Sequence, residues 1–213
     1  MAVHRVLLVC EQNVCRSPYL AAVANSLLAG DDRHTFVVAS RGTTVTAGAE
    51  ICSVAESNLR GHGISVGVEH GSTALEQEDV VRADLILTAT ERQRSAIALL
   101  SPGARVRAYT VREAILLSER ELGADELARV RVASRRSSLR EFASAINARR
   151  GTLDLPGATV RPRLGGRRAA PDSPLDIPDH HRTGGQSHRR LFDEMYADAG
   201  VLAARIKYVL ETP

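Results

Sequence analysis

Arg5-Val6-Leu7-Leu8-Val9-Cys10-Glu11-Gln12-Asn13-Val14-Cys15-Arg16-Ser17-Pro18 reads as a buried strand that breaks into a polar loop and resumes as a helix. The run Val6 to Val9 is short, wholly apolar and half β-branched, as a parallel strand covered on both faces is. Ser17 carries the side chain of an N-cap, and Pro18 has the fixed φ of a first helical residue. Leu20, Val23, Ala24, Leu27 and Leu28 then share one helical face, and Gly30 supplies a stop.

Cys10 and Arg16 close the two ends of the loop with five residues between them. Backbone amides of Glu11, Gln12, Asn13, Val14, Cys15, Arg16 and Ser17, turned inward at a helix N-terminus, would cradle an anion. Such a field also favours a thiolate, which makes Cys10 the candidate nucleophile. The Arg16 guanidinium is a permanently charged fork that matches two phosphoryl oxygens. Ser17 is placed to donate its hydroxyl to sulfur when Cys10 becomes a leaving group.

Outward from this stretch, strands and helices alternate. Residues 34 to 40 predict a second strand and about 50 to 61 a helix, with Ile51, Val54, Ala55 and Leu59 at helical spacing. Leu75, Val80 and Val81 suggest a short helix, and Ala83 to Ala89 is the clearest buried strand. Thr90 then serves as N-cap for a helix to about Leu100, and Ala104 to Thr110 reads as a fourth strand. This order predicts a three-layer α/β fold, a four-stranded parallel sheet flanked by helices, with the phosphate-binding loop after strand 1.

The decapeptide from Val9 to Pro18 resembles the phosphate-binding loop of the low-molecular-weight protein tyrosine phosphatases. The similarity continues through Ser40-Arg41-Gly42, Leu59 with Gly63-Ile64, His70 with Ser72, and Ala83 to Leu87. Family members commonly carry glycine where this chain has Gln12, so the resemblance implies a side chain at a tight position. It also implies that Asn13 is held in a left-handed conformation by Ser17, Ser40 and His70. Asp176-Ile177-Pro178-Asp179 before a terminal helix resembles the family's acid loop and makes Asp179 the matching general acid. Asp172 and Asp176 are neighbouring carboxylates, and His180 and His181 stand where proline and an aromatic ring are usual. The implied reaction is phosphomonoester hydrolysis, with a phosphotyrosine protein or small aryl phosphate as substrate and no cofactor. The alternatives are arsenate reduction with an external thiol on the same scaffold, and a weakly active phosphate-binding module.

The chain's 213 residues, 44% of them hydrophobic, suit a single domain over 1–213 carrying an Arg-rich insertion at about 122–175. Segment 111 to 175 holds 13 of the 28 basic residues, all arginine. There Ser138-x-x-Glu141 opens a helix to about 149, and the loop beyond it could recruit an acidic partner. Beyond the acid loop a long helix from about Ser187 to Leu210 buries Leu191, Met195, Ala199, Leu202, Ile206 and Val209. Aromatic residues make up only 3%, so the formal charge of +3 points to an anionic substrate and not to nucleic acid. Cys10, Cys15 and Cys52 are odd in number and form no Cys-x-x-Cys pair, which argues against a disulfide framework or a metal site. The absence of a signal-peptide pattern or a spanning apolar run predicts a cytoplasmic protein without membrane partners.

Overall fold

The computed structural model describes residues 2–30, 34–65, 70–132, 138–152, 173–180 and 185–211. Its strands are β1 (Ala2–Cys10), β2 (His34–Gly42), β3 (Leu85–Thr88) and β4 (Ala108–Thr110), paired in parallel in the order β2-β1-β3-β4. The helices are α1 (Arg16–Leu28), α2 (Ser53–Gly61), α3 (Gln77–Arg82), α4 (Glu91–Leu100), α5 (Val111–Glu119), α6 (Ala124–Val132), α7 (Ser138–Asn147) and α8 (Gly185–Glu211). None is long and apolar enough to cross a membrane.

Strand period divides β1 between two cores. Val6, Leu8 and Cys10 face one cluster that contains Tyr19 and Leu20 of α1, Leu59 of α2 and Phe192 and Met195 of α8. Leu7 and Val9 face the other, with Val80 and Ile97 beneath α3 and α4. Each fully buried leucine or isoleucine contributes about 1.5 to 3 kcal/mol, so a central strand covered on both sides anchors both layers. This is the expected α/β architecture. The chain leaves β1 towards β2 and later returns to its other side as β3, so the switch in strand order falls at the C-terminal end of β1. Crevices open at that point in parallel sheets.

Four elements differ from expectation, among them α5, a helix the sequence reading left unassigned. Helix α1 begins at Arg16 with Cys15 as its cap, and Ser17 makes no cap. Its hydroxyl is engaged by the loop instead, and Pro18 is tolerated because first-turn amides have no helical acceptor. Residues Pro102–Arg107 form a 3₁₀ helix, leaving only Ala108–Thr110 as strand. Pro102 lacks the N–H a ladder needs, and Ala104 N bonds back to Ser101 O at 2.9 Å. Helix α6 was not anticipated in the insertion.

Three arginines of the insertion, Arg140, Arg149 and Arg150, are tied inward. Arg149, 6% exposed, donates to the carbonyls of Leu117, Arg120 and Glu121 and pairs with Glu126. Arg150 spans Glu113 and the Ala108 carbonyl, and Arg140 pairs with Asp84. Leu139, Phe142, Ala143 and Ile146 of α7 lie in the main core, as their spacing predicts. The arginines of 153–172, the partner reading attached to them, Asp172 and His181 lie outside the described residues.

Candidate active site

The loop after β1 is shaped by what pulls on its carbonyls. Thr43 N donates to Cys10 O at 3.0 Å, Thr44 N to Glu11 O at 2.8 Å and Cys52 N to Val14 O at 2.9 Å. The Ser72 hydroxyl donates to Gln12 O, and His70 Nε2 lies 2.9 Å from Asn13 O. A carbonyl only accepts, so that His70 nitrogen carries the proton. In a trans peptide the next N–H points opposite to the carbonyl. Five outward carbonyls therefore turn the amides of Glu11 to Cys15 inward, and one of them, Asn13 N, lies 3.3 Å from Cys10 Sγ.

Asn13 carries the loop's strain. Its φ is 55°, and no other non-glycine among the described residues is positive. Asparagine tolerates this region best, and hydrogen bonds offset the remaining cost. Its amide donates to Ser17 Oγ at 3.0 Å and Ser40 Oγ at 2.9 Å, and its Oδ1 accepts from Thr73 N at 3.0 Å. The structure thus brings Asn13, Ser17, Ser40 and His70 together. Gln12, in contrast, is exposed and has no positive φ, so its side chain meets no tight position.

Cys10 lies at the buried end of β1, its sulfur 3.0 Å from Ser17 Oγ. Arg16, 5% exposed, donates through Nη1 to Ile177 O at 3.1 Å and through Nη2 to Asp179 Oδ2 at 2.9 Å. Asp179 reaches it because the acid loop is pinned to the sheet: Ile177 N donates to Ala89 O just beyond β3, and Arg112 Nη1 donates to Asp176 O. Asp176 accepts from Glu91 N at 2.8 Å, at the start of α4. Of the two described carboxylates, Asp179 alone therefore meets Arg16, while Asp176 serves a helix end. Cys15 turns its sulfur to Cys52 and His188. A hydrogen bond with Cys52 and then burial hold the Cys15 thiol far above its ordinary pKa.

Ser72, Thr73 and Gly42 also hold this loop in shape; Ser72 and Gly42 entered only through the family resemblance and none of the three had an assigned role, because each acts through one hydrogen bond to the loop or through a missing side chain. A Cβ on Gly42 would collide with Val45 and stand 2.7 Å from Glu11 O and 2.9 Å from Asn13 N. Gly42→Ala is expected to displace the loop, costing about 1 to 3 kcal/mol of stability, typical of overpacking. It should also raise KM for an aryl phosphate. Urea unfolding and steady-state kinetics check both, and an unchanged KM refutes the claim that Gly42 sets the loop's shape.

A parallel sheet whose first strand delivers a thiol into a cradle of amides defines a class, the cysteine-based phosphatases, which are hydrolases. The model of the low molecular weight phosphotyrosine protein phosphatase family matches residues 5–121, and the chain belongs to that family. It is 31% identical over 111 residues to a protein-arginine-phosphatase of Geobacillus stearothermophilus, spanning 52% of this chain and 70% of that one. The solved YwlE arginine phosphatase from Geobacillus stearothermophilus superposes with a TM-score of 0.60 at 22% identity, covering 96% of this chain and 93% of that chain. YfkJ from Bacillus subtilis gives 0.61 at 15% identity, covering 100% and 99%. The tyrosine phosphatase Wzb from Escherichia coli K30 gives 0.54 at 15%, covering 94% of each.

Proposed function

We propose that the protein dephosphorylates phosphotyrosine in proteins in two steps through a cysteinyl-phosphate on Cys10. The observation that carries this reading is the meeting of the Cys10 sulfur, inward amides and the Arg16–Asp179 pair at one loop. Cys10 sulfur attacks phosphorus as the bond to the phenolic oxygen breaks. The amides and Arg16 hold the equatorial oxygens, and Asp179 gives its proton to the departing phenolate. Asp179 then takes a proton from the water that attacks the cysteinyl-phosphate, and Ser17 donates to the sulfur as it leaves. Arg16 Nη2 donates to Asp179 at 2.9 Å, and a phosphoryl oxygen competing for that donor frees the carboxyl group beside the leaving group. Val14, half-buried on the loop, offers an apolar wall to an aromatic ring.

A second reading, phosphoarginine, draws support from the relative named a protein-arginine-phosphatase. The partly exposed carboxylates of Glu11 and Asp179 suit a guanidinium leaving group. Parallel assays separate the readings. A phosphotyrosine peptide, a phosphoarginine protein, and arsenate with an external thiol are compared on purified protein, and the phosphotyrosine peptide should have the highest kcat/KM. A higher value for phosphoarginine replaces the first reading with the second. Thiol-dependent arsenate turnover alone assigns a reductase, and oxyanion binding without turnover assigns a binding module.

A further inference from the structure

Beside the phosphate loop, three residues from distant parts of the chain bring soft donors together. Cys15 caps the N-terminus of α1, Cys52 caps that of α2, and His188 lies in the first turn of α8. All are buried, at 8%, 7% and 4% exposure. His188 Nε2 stands 3.8 Å from Cys15 Sγ and 3.9 Å from Cys52 Sγ, and the three donor atoms lie within 4.8 Å of one another. A tetrahedral ion bound to two sulfurs and a nitrogen, with bonds of about 2.3 Å and 2.0 to 2.1 Å, requires S···N separations of about 3.5 to 3.6 Å. The side chains stand within about 0.4 Å of that spacing.

We propose that Cys15, Cys52 and His188 form a binding site for one zinc ion. The donor set fits a thiophilic d¹⁰ dication: two thiolates cancel its charge and neutral imidazole adds none, so no net charge is buried. Three converging helix N-termini favour the thiolates once formed. Binding moves two thiol protons to solvent and needs no oxidant or reductant. The His188 ring is flanked by Phe192 at 5.0 Å between centroids, which limits its rotation. A fourth coordination position remains for water. Cys10 is separate, since its sulfur is engaged by Ser17 and Asn13. Bound zinc ties the end of the phosphate loop to α2 and α8.

The test uses reduced full-length protein carrying Cys10→Ser, so that the nucleophile takes no metal. Titrated with Co²⁺, it should develop thiolate-to-cobalt charge-transfer absorption that saturates at one ion per chain and is abolished by one equivalent of Zn²⁺. Zinc should also raise its Tm. Adding Cys52→Ser should remove the absorption band, and adding His188→Asn should weaken cobalt binding at least about tenfold. Circular dichroism shows that each variant is folded, and either one alone decides the matter if the other fails to fold. Absorption unchanged in both variants overturns the site. So does a folded, reduced parent that takes up neither ion; a Cys15–Cys52 disulfide formed by that protein in air would make the pair a redox couple instead.

Discussion

Cys10→Ser protein turns over no phosphomonoester above background yet still binds vanadate and inorganic phosphate. The expectation follows from separating two tasks that share one loop. Oxyanion binding belongs to the inward amides and Arg16, whose geometry is held by Thr43, Thr44, Cys52, His70 and Ser72 from outside the loop. None of those bonds involves the sulfur. Nucleophilic attack belongs to the sulfur alone, and a serine hydroxyl with no base beside it is a poor substitute. Removing the nucleophile of a covalent mechanism costs on the order of 10⁴ to 10⁶-fold in kcat. Initial-rate assays and calorimetric titration with phosphate measure both halves. Activity within about tenfold of the parent would show that attack does not proceed through Cys10, and lost binding would show that the sulfur shapes the cradle.

The sheet was legible because its signals are local. Val6 to Val9 and Leu85 to Leu87 are apolar runs that only a strand buried on both faces explains, and both fall in central strands. The loop between Cys10 and Arg16 was legible because five intervening residues span one loop between a strand and a helix. Misreadings arose where one residue had two possible employers. Ser17 has the chemistry of a cap, but the loop's need for a hydroxyl between Cys10, Asn13 and Arg41 O takes precedence. Among its described side chains helix α6 buries Val130 alone, with Leu122 buried just before it, in a charged stretch whose periodicity is faint. The Cys15, Cys52 and His188 cluster left no spacing signal, since Cys52 and His188 are 136 residues apart and meet only through tertiary packing. Gly42 was visible only as part of the resemblance, because its value is the absence of a Cβ against the loop backbone.

Asp179→Asn should slow phosphotyrosine hydrolysis by about 10² to 10⁴-fold, the range of general acid–base assistance, while slowing an activated aryl phosphate far less. The difference lies in the leaving group. Tyrosine departs as a phenolate whose conjugate acid has a pKa of about 10, and it needs a proton as the bond to phosphorus breaks. A nitrophenolate leaves readily without one. Asparagine preserves the size of the side chain and its ability to accept from Arg16 Nη2, so the Arg16 contact at 2.9 Å survives while the proton donor of the first step and the base of the second are lost. Asp176→Asn is the internal control, because that carboxylate accepts from Glu91 N at the start of α4 and makes no contact with Arg16. It should leave stability nearly unchanged, because asparagine still accepts from Glu91 N, and should leave the ratio of the two substrates at the parent value. Values of kcat/KM for a series of aryl phosphates, which report expulsion of the leaving group and not the shared hydrolysis of the cysteinyl-phosphate, provide the measurement: the slope of log kcat/KM against leaving-group pKa should steepen for Asp179→Asn and stay at the parent value for Asp176→Asn. Equal losses on all substrates would remove Asp179 as the proton donor, and a steepened slope for Asp176→Asn would transfer the role to Asp176.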